Sequence, residues 1–489
     1  MIRLYLLTKD EDDLWIVYSP EEKVKVGDSL QIGDIVAQVV DMRFADLPGV
    51  LEHILRKSLI PKSETTERVQ PEIKNILDSL IDQKVAMAKI RGRIVEESHG
   101  SGIKRTFKTG LTEFDVSRSR SPIEVLSQDE LFEMLKITSS KQADFAETIS
   151  SLPKGYDVPA EKLGINLITG MKGSGKSYSA KRLLLKLIER GVLTIVFDVN
   201  GEYLNLWKRD ENTPNEYAPC LKILTPHIRA PKGCEAPLLI PLNEITYDEF
   251  ATHLNITQGT PTYQCLMQFW KQRSGKQFDL NDLEDYVADR NNVQNEAVQM
   301  ALQGRVDSAR ASGLFGPSSL TELIKNLHES GGAIIVNLAR VNPWERGIIV
   351  EFILRKLSDL GESKTIRAVS LFLEEAQLYM ETKSIVNMLT RMRHVGVFPT
   401  FITNDPRTLP DEVFTLLDNL LVFMFRNEEE LKHLAKSGLI DMRSLGALKN
   451  LEPKQCLAVG NITSNYPIFL EVDPQAGVMM GGESRRLIP

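Results

Sequence analysis

The chain has 489 residues, and because single hydrophobic cores stop growing near roughly 250 to 300 residues, two or three domains are expected. Its 42% hydrophobic and 26% charged residues fit a folded globular chain and exclude a disordered or fibrous one. A net charge of −7, from 59 basic against 66 acidic residues, excludes a protein that grips nucleic acid with its whole surface, so any such site must be local.

The first 140 residues alternate short β-branched runs with turn signals, as in Leu14 to Tyr18, Val26-Gly27-Asp28 and Asp34 to Met42. This pattern predicts a small β-barrel. A helical stretch is predicted from Glu72 to Met87, where Ile73, Ile76, Leu77, Leu80 and Ile81 recur at helical spacing, followed by a strand over Ala88 to Val95. The Ser117 to Pro122 segment reads as a solvated hairpin tip. Residues 141–162 are polar and aperiodic and read as a linker. From 163 to 474, apolar strand-like runs alternate with helical patterns: GINLITG, a helix from Tyr178 to Arg190, LTIVFDV, a helical insertion at about 245–328, AIIVNL, a helix from Trp344 to Leu360, AVSLFL and VFPTFIT. Such alternation predicts an α/β fold, a parallel sheet with helices on both faces. Residues 475–489 read as a mobile tail. The longest apolar runs, such as Leu420 to Phe425, fall far below the roughly 18 residues a membrane span needs, and the opening MIRLYLLTKDEDDL turns acidic too soon for a signal peptide. A cytoplasmic protein without a membrane partner is expected. Cys220, Cys234, Cys265 and Cys456 form no CxxC pair, which argues against a zinc site or a disulfide framework.

The predicted strand GINLITG runs into GMKGSGKS, Gly170 to Ser177, and then into a helix whose Ala180, Leu183, Leu184, Leu187 and Ile188 share one face. This is a complete Walker A context. The backbone of Gly170, Met171, Lys172, Gly173, Ser174 and Gly175 would aim N–H groups at phosphate oxygens, with Lys176 reaching the β and γ phosphates of ATP and the helix start at Ser177 and Tyr178 beside them. Ser177 would give its hydroxyl to Mg²⁺. A second acidic site ends the apolar run AVSLFL: Glu374 is expected to serve the metal and Glu375 to activate water, since adjacent carboxylates at a strand's carboxyl edge can divide these roles.

Together, GMKGSGKS, DVNGEY at Asp198 to Tyr203, FLEEAQ and RMRHVGVFPTFITNDP at Arg391 to Pro406 resemble the HerA branch of the HerA/FtsK P-loop motors. The similarity runs over essentially the whole length, with the N-terminal barrel resembling the HAS-barrel. The resemblance implies a RecA-like ATPase domain and a hexameric homo-oligomer that moves duplex DNA through its pore, usually beside a NurA-type nuclease docked on the barrel. Relatives also pair with effector enzymes in antiviral operons, where the ring acts as scaffold and regulator. Asp198, at its strand's end, can face the metal's water shell or hold the turn that follows. Arg393 matches the family's arginine position and is expected to reach into the neighbouring subunit's site, with Arg407 and Arg426 as weaker candidates. The sequence departs from the family at Gln377, where His is usual, at Thr403-Asn404-Asp405, where Gln-Arg is usual, and at Lys162-Leu163-Gly164, where an Arg is frequent. Asn404 remains able to act as a polar sensor. Lys271 to Lys276 and Arg340 to Arg346 are the candidate DNA-contacting loops.

Overall fold

The computed structural model describes residues 4–18, 21–44, 84–99, 102–110, 116, 121–137, 145–211, 213–227, 231–379, 383–474 and 477–480. The chain divides into two compact units, one of residues 1–159 with 420–473 and one of residues 160–419 with 474–489. The sequence had placed 163–474 in a single domain; residues 420–473 instead group with the N-terminal part.

The first unit opens with β1 (Leu4–Asp10), β2 (Asp13–Tyr18), β3 (Ser29–Ile32), β4 (Ile35–Phe44), β5 (Lys84–His99), β6 (Gly102–Lys108) and β7 (Ile123–Leu126). These pair antiparallel in the order β1-β2-β5-β4-β3-β7, with β6 added to β5. Alternate side chains turn inward, and Leu14, Ile16, Leu30, Ile32, Ala37, Val39, Ala86 and Ala88 are fully buried in the resulting core. The helix expected over Glu72 to Met87 is corrected at its end: Lys84 to Met87 belong to β5, whose pairing with both β2 and β4 overrides the local spacing. Residues 72–83 and Ser117 to Arg120 lie outside the described residues. Helix α1 (Gln128–Leu135) begins at Ser127, which forms a capping box with Glu130. The expected linker contains two short strands, β8 (Ala146–Thr148) and β9 (Gly155–Tyr156), too short to leave a period in the sequence.

The second unit is built on β10 (Asn166–Thr169), α2 (Lys176–Glu189), β11 (Leu193–Asp198), β12 (Leu221–Thr225) and β13 (Glu235–Pro237). Five helices follow, α3 (Tyr247–His253), α4 (Pro261–Gln272), α5 (Leu280–Ala288), α6 (Glu296–Ala311) and α7 (Leu320–Ser330). Then come β14 (Gly332–Asn337), α8 (Pro343–Glu362), β15 (Val369–Glu374), α9 (Lys383–Arg391), β16 (Val397–Thr403) and α10 (Asp411–Thr415). The strands form one parallel sheet in the order β13-β12-β14-β11-β15-β16-β10. Strands β10, β11 and β15 are buried at every position, which is why they read as continuous apolar runs and not as alternation. The order places β15 two strands from the phosphate-loop strand β10, with β16 between, so the carboxyl ends of all three meet at one edge.

The chain then returns to the first unit with β17 (Asn419–Phe423), α11 (Glu428–Leu434), α12 (Met442–Ala447), β18 (Gln455–Gly460) and β19 (Ile468–Val472). There β17, β18, β19, β8 and β9 are successive neighbours. The Arg91 side chain, nearly buried, donates to Asp441 Oδ2 at 2.6 Å and also to Gln38 and Ser444. No described helix is long and apolar enough to cross a membrane.

Candidate active site

At the carboxyl edge of the second unit's sheet lies a cleft of about 710 Å³. Its floor is the loop between β10 and α2. Gly173 and Gly175 hold φ of +81° and +110°, the left-handed region a side chain would strain, which lets the loop turn back on itself before the helix starts. Ser174, buried, ties the turn by donating from Oγ to the Met171 carbonyl at 2.7 Å. The Lys176 ammonium donates to the same carbonyl at 3.0 Å. Of the residues expected to hold nucleotide, Lys172, Gly173, Gly175, Lys176, Ser177 and Tyr178 line the cleft. Gly170, Met171 and Ser174 shape the loop from behind, outside that lining.

The tip of β15 supplies the opposite wall. Glu374 is buried, and its Oε1 accepts from the Tyr203 hydroxyl at 2.5 Å. Burial is the main force raising its carboxyl to about 8; Tyr203's donation opposes the rise, and Glu202 and Asp198 add to it. Burial likewise lowers Lys176 to about 8, against the pull of Glu374, Glu375 and Glu202. Glu375 sits with φ 50° and ψ 55°, left-handed for a non-glycine residue. Its Oε1 accepts from Asn404 Nδ2 and its Oε2 from Gln377 Nε2, both at 2.7 Å. Asn404 also lines the cleft.

Two expected residues stand elsewhere. Asp198 lies outside the cleft lining and is fully buried: Oδ1 accepts from the backbone N–H groups of Gly201 and Glu202, and Oδ2 from that of Tyr203. Burial raises its carboxyl despite these three donors. Of the two readings the sequence left open for Asp198, the geometry supplies the turn holder. Arg393 is about half exposed, also outside the cleft of its own chain, and its Nη1 reaches the Asp418 carboxylate at 3.2 and 3.3 Å. Asp418 Oδ2 in turn accepts from Ile165 N. It packs so closely on Gly164 that a Cβ there would come within 2.0 Å of it. Arg407 pairs with Asp405, and Arg426 is exposed.

Lys181, Tyr203, Gln377 and Thr403 enter the site without having been assigned a role. Lys181 is buried and lines the cleft; its Nζ donates to the Met480 carbonyl at 3.1 Å and lies 3.8 Å from Glu202. Its spacing of four from Ser177 on one helix face was the available signal. Met479 N donates to the Lys208 carbonyl, so residues 477–480 of the expected mobile tail are held against this unit; residues 475–476 and 481–489 lie outside the described residues.

A parallel sheet that delivers a Lys-Ser loop to a helix start, with paired carboxylates on a nearby strand tip, defines a RecA-like P-loop ATPase. Residues 166–357 match the model of the family described as Helicase HerA, central domain. Among solved structures, VirB4 of Thermoanaerobacter pseudethanolicus is 15% identical, with 69% of this chain and 98% of that chain covered and a TM-score of 0.47. The bacterial conjugative coupling protein TrwB is also 15% identical over 73% and 95%, TM-score 0.47. The genome packaging NTPase B204 from Sulfolobus turreted icosahedral virus 2, in complex with AMPPCP, is 14% identical over 64% and 100%, TM-score 0.33. No curated protein sequence matches the chain.

Proposed function

We propose that this ATPase is a ring-forming motor that moves duplex DNA, with Glu375 as the general base of ATP hydrolysis. The observation that carries the reading is the meeting of Lys176, Ser177, Glu374 and Glu375 in one cleft, the first two of them within residues 166–357, which match the HerA central domain. Lys176 binds the β and γ phosphates, and the backbone N–H groups of Lys172 to Gly175 with the α2 N-terminus neutralise the remaining charge. Glu375 accepts a proton from water as the water oxygen bonds to the γ phosphorus; the bond to the β–γ bridging oxygen breaks, and ADP leaves with that electron pair. Asn404 orients the same carboxylate.

The donor set fits Mg²⁺. Ser177 Oγ and Glu374 face the same cleft, and Tyr203 occupies only one carboxylate oxygen of Glu374, leaving Oε2. Asp198 is not counted with them, because it lies outside the cleft lining, where its carboxylate holds the backbone N–H groups of Gly201, Glu202 and Tyr203. When bound, the ion supplies charge neutralisation to the transferring phosphoryl group.

Arg393, outside its own cleft, acts on the site of the next subunit in a homo-oligomer, most simply a hexamer. The Lys271 to Lys276 stretch at and beyond the end of α4, where Lys271 and Lys276 are exposed, and the Arg340 to Arg346 stretch that leads into the first turn of α8 are the surfaces for DNA phosphates. The motor serves a partner nuclease of the NurA type. The test is steady-state ATP hydrolysis with and without linear duplex DNA, beside Glu375→Gln. Stimulation by DNA, with nucleotide binding but no turnover in the variant, is the expected result; binding without hydrolysis in the native chain under both conditions overturns the motor.

A further inference from the structure

We propose that Gln377 is a positioning residue for Glu375, a second amide that fixes the base's carboxylate from the side opposite Asn404. The inference rests on Glu375 being the base. Left-handed backbone at 375 turns the side chain off the line of β15, and only three residues of 3-10 helix, Ala376 to Leu378, follow to bring position 377 back beside it. Gln377 Nε2 then donates to Oε2 while Asn404 Nδ2 donates to Oε1, so each oxygen of one carboxylate is held by a different strand end.

The amide of Gln377 is itself fixed. Thr403, 1% exposed, accepts from Asp405 N at 3.1 Å and donates from Oγ1 to Gln377 Oε1 at 2.9 Å. The Glu375 carboxylate, an acceptor only, settles which end of the amide faces it, since a flipped amide would set oxygen against oxygen there; the Thr403 hydroxyl, which also lies 3.2 Å from the Asp405 carbonyl, meets the other end. Thr169, the residue before the phosphate loop, donates to the Thr403 carbonyl at 3.0 Å. A run of hydrogen bonds, passing through the Thr403 backbone, therefore ties the end of the phosphate-loop strand to the carboxylate that must meet the water. Two carboxylate lone pairs stay available for that water, because each oxygen carries two and each amide takes one.

A carboxylate held from one side only can swing by an ångström, and misplacement on that scale costs about 100-fold in rate. Gln377→Leu, which keeps the volume and removes both polar ends, is expected to lower kcat about 10- to 100-fold while the KM for ATP and the Kd of a non-hydrolysable ATP analogue stay within about twofold. Thr403→Val should lower kcat in the same way and Thr403→Ser should restore it. The Gln377→Leu/Thr403→Val double variant should be no slower than Gln377→Leu alone, since both act through one contact. If Gln377→Leu is insoluble, the Thr403 pair decides, with equal rates for Val and Ser overturning the proposal. Unchanged kcat in soluble Gln377→Leu, or parallel loss of turnover and analogue binding, also overturns it. Glu375→Gln separates the two levels: inactive Glu375→Gln beside fully active Gln377→Leu removes only the positioning role, whereas active Glu375→Gln removes the base itself.

Discussion

The Tyr203 hydroxyl donates to Glu374 Oε1 at 2.5 Å, joining residues 171 positions apart in the chain. Both are buried, and the turn that delivers Tyr203 is built on Asp198, whose carboxylate accepts from the backbone of Gly201, Glu202 and Tyr203. Tyr203→Phe leaves the Glu374 carboxyl without that donor. Above about pH 8, where Glu374 is ionised, loss of a hydrogen bond to a buried charged group is expected to cost about 1.5 to 3 kcal/mol. As the carboxylate becomes harder to ionise, the Mg²⁺ concentration for half-maximal turnover should rise; a thermal melt and an Mg²⁺ titration of the variant check both effects.

The cleft's charge changes in one direction with pH. Lys176, lowered to about 8 by burial, loses its positive charge as pH rises through that value, and Glu374, raised to about 8 by burial, gains a negative one. Both steps make the cleft more negative, so metal-free ADP binding is expected to be strongest below pH 8 and to weaken above it. Isothermal titration in EDTA from pH 6.5 to 9.5 reads the slope, and Lys176→Ala should flatten much of it.

In the first unit, burial would raise Asp441, but the Arg91 guanidinium and the Ser444 donors hold it at about 2. A depressed carboxylate stabilises the fold above its unfolded pKa and loses that contribution as pH falls toward 2. Asp441→Asn removes the acid dependence and leaves Arg91 nearly buried without its counter-charge, a loss on the order of 3 kcal/mol. Urea denaturation of the variant and the native chain at pH 3 and pH 7 should show the difference shrinking at the lower pH.

Arg393 sets up a test of subunit sharing. Arg393→Ala should bind nucleotide normally and hydrolyse it about 10³-fold more slowly, the scale of a lost arginine finger. Mixing Arg393→Ala with Glu375→Gln should restore part of the activity, because some interfaces then pair an intact Arg393 with an intact Glu375. No recovery on mixing would place the arginine's effect within its own chain, through Asp418 and the start of β10.

The parallel sheet was legible because its strands are buried on both faces and alternate with amphipathic helices; GINLITG, LTIVFDV, AIIVNL, AVSLFL and VFPTFIT all became strands. The phosphate loop was legible for the same reason, since its glycines, lysine and serine are contiguous. Tyr203 and Gln377 were not, because their roles depend on which strands become neighbours: Tyr203 meets Glu374 only once β11 pairs with β15. The grouping of 420–473 with the N-terminal part was equally hidden. It depends on β8 meeting β19, a pairing of three-residue segments that no local pattern announces.

Glu375 carries a left-handed backbone that glycine would adopt freely, at a cost to any other residue of roughly 1 to 2 kcal/mol. Glu375→Gly should therefore melt higher than Glu375→Ala while both stay inactive. Position 375 is a place where this chain gives up durability for chemistry: the sequence that folds most securely here and the sequence that turns over ATP are different sequences.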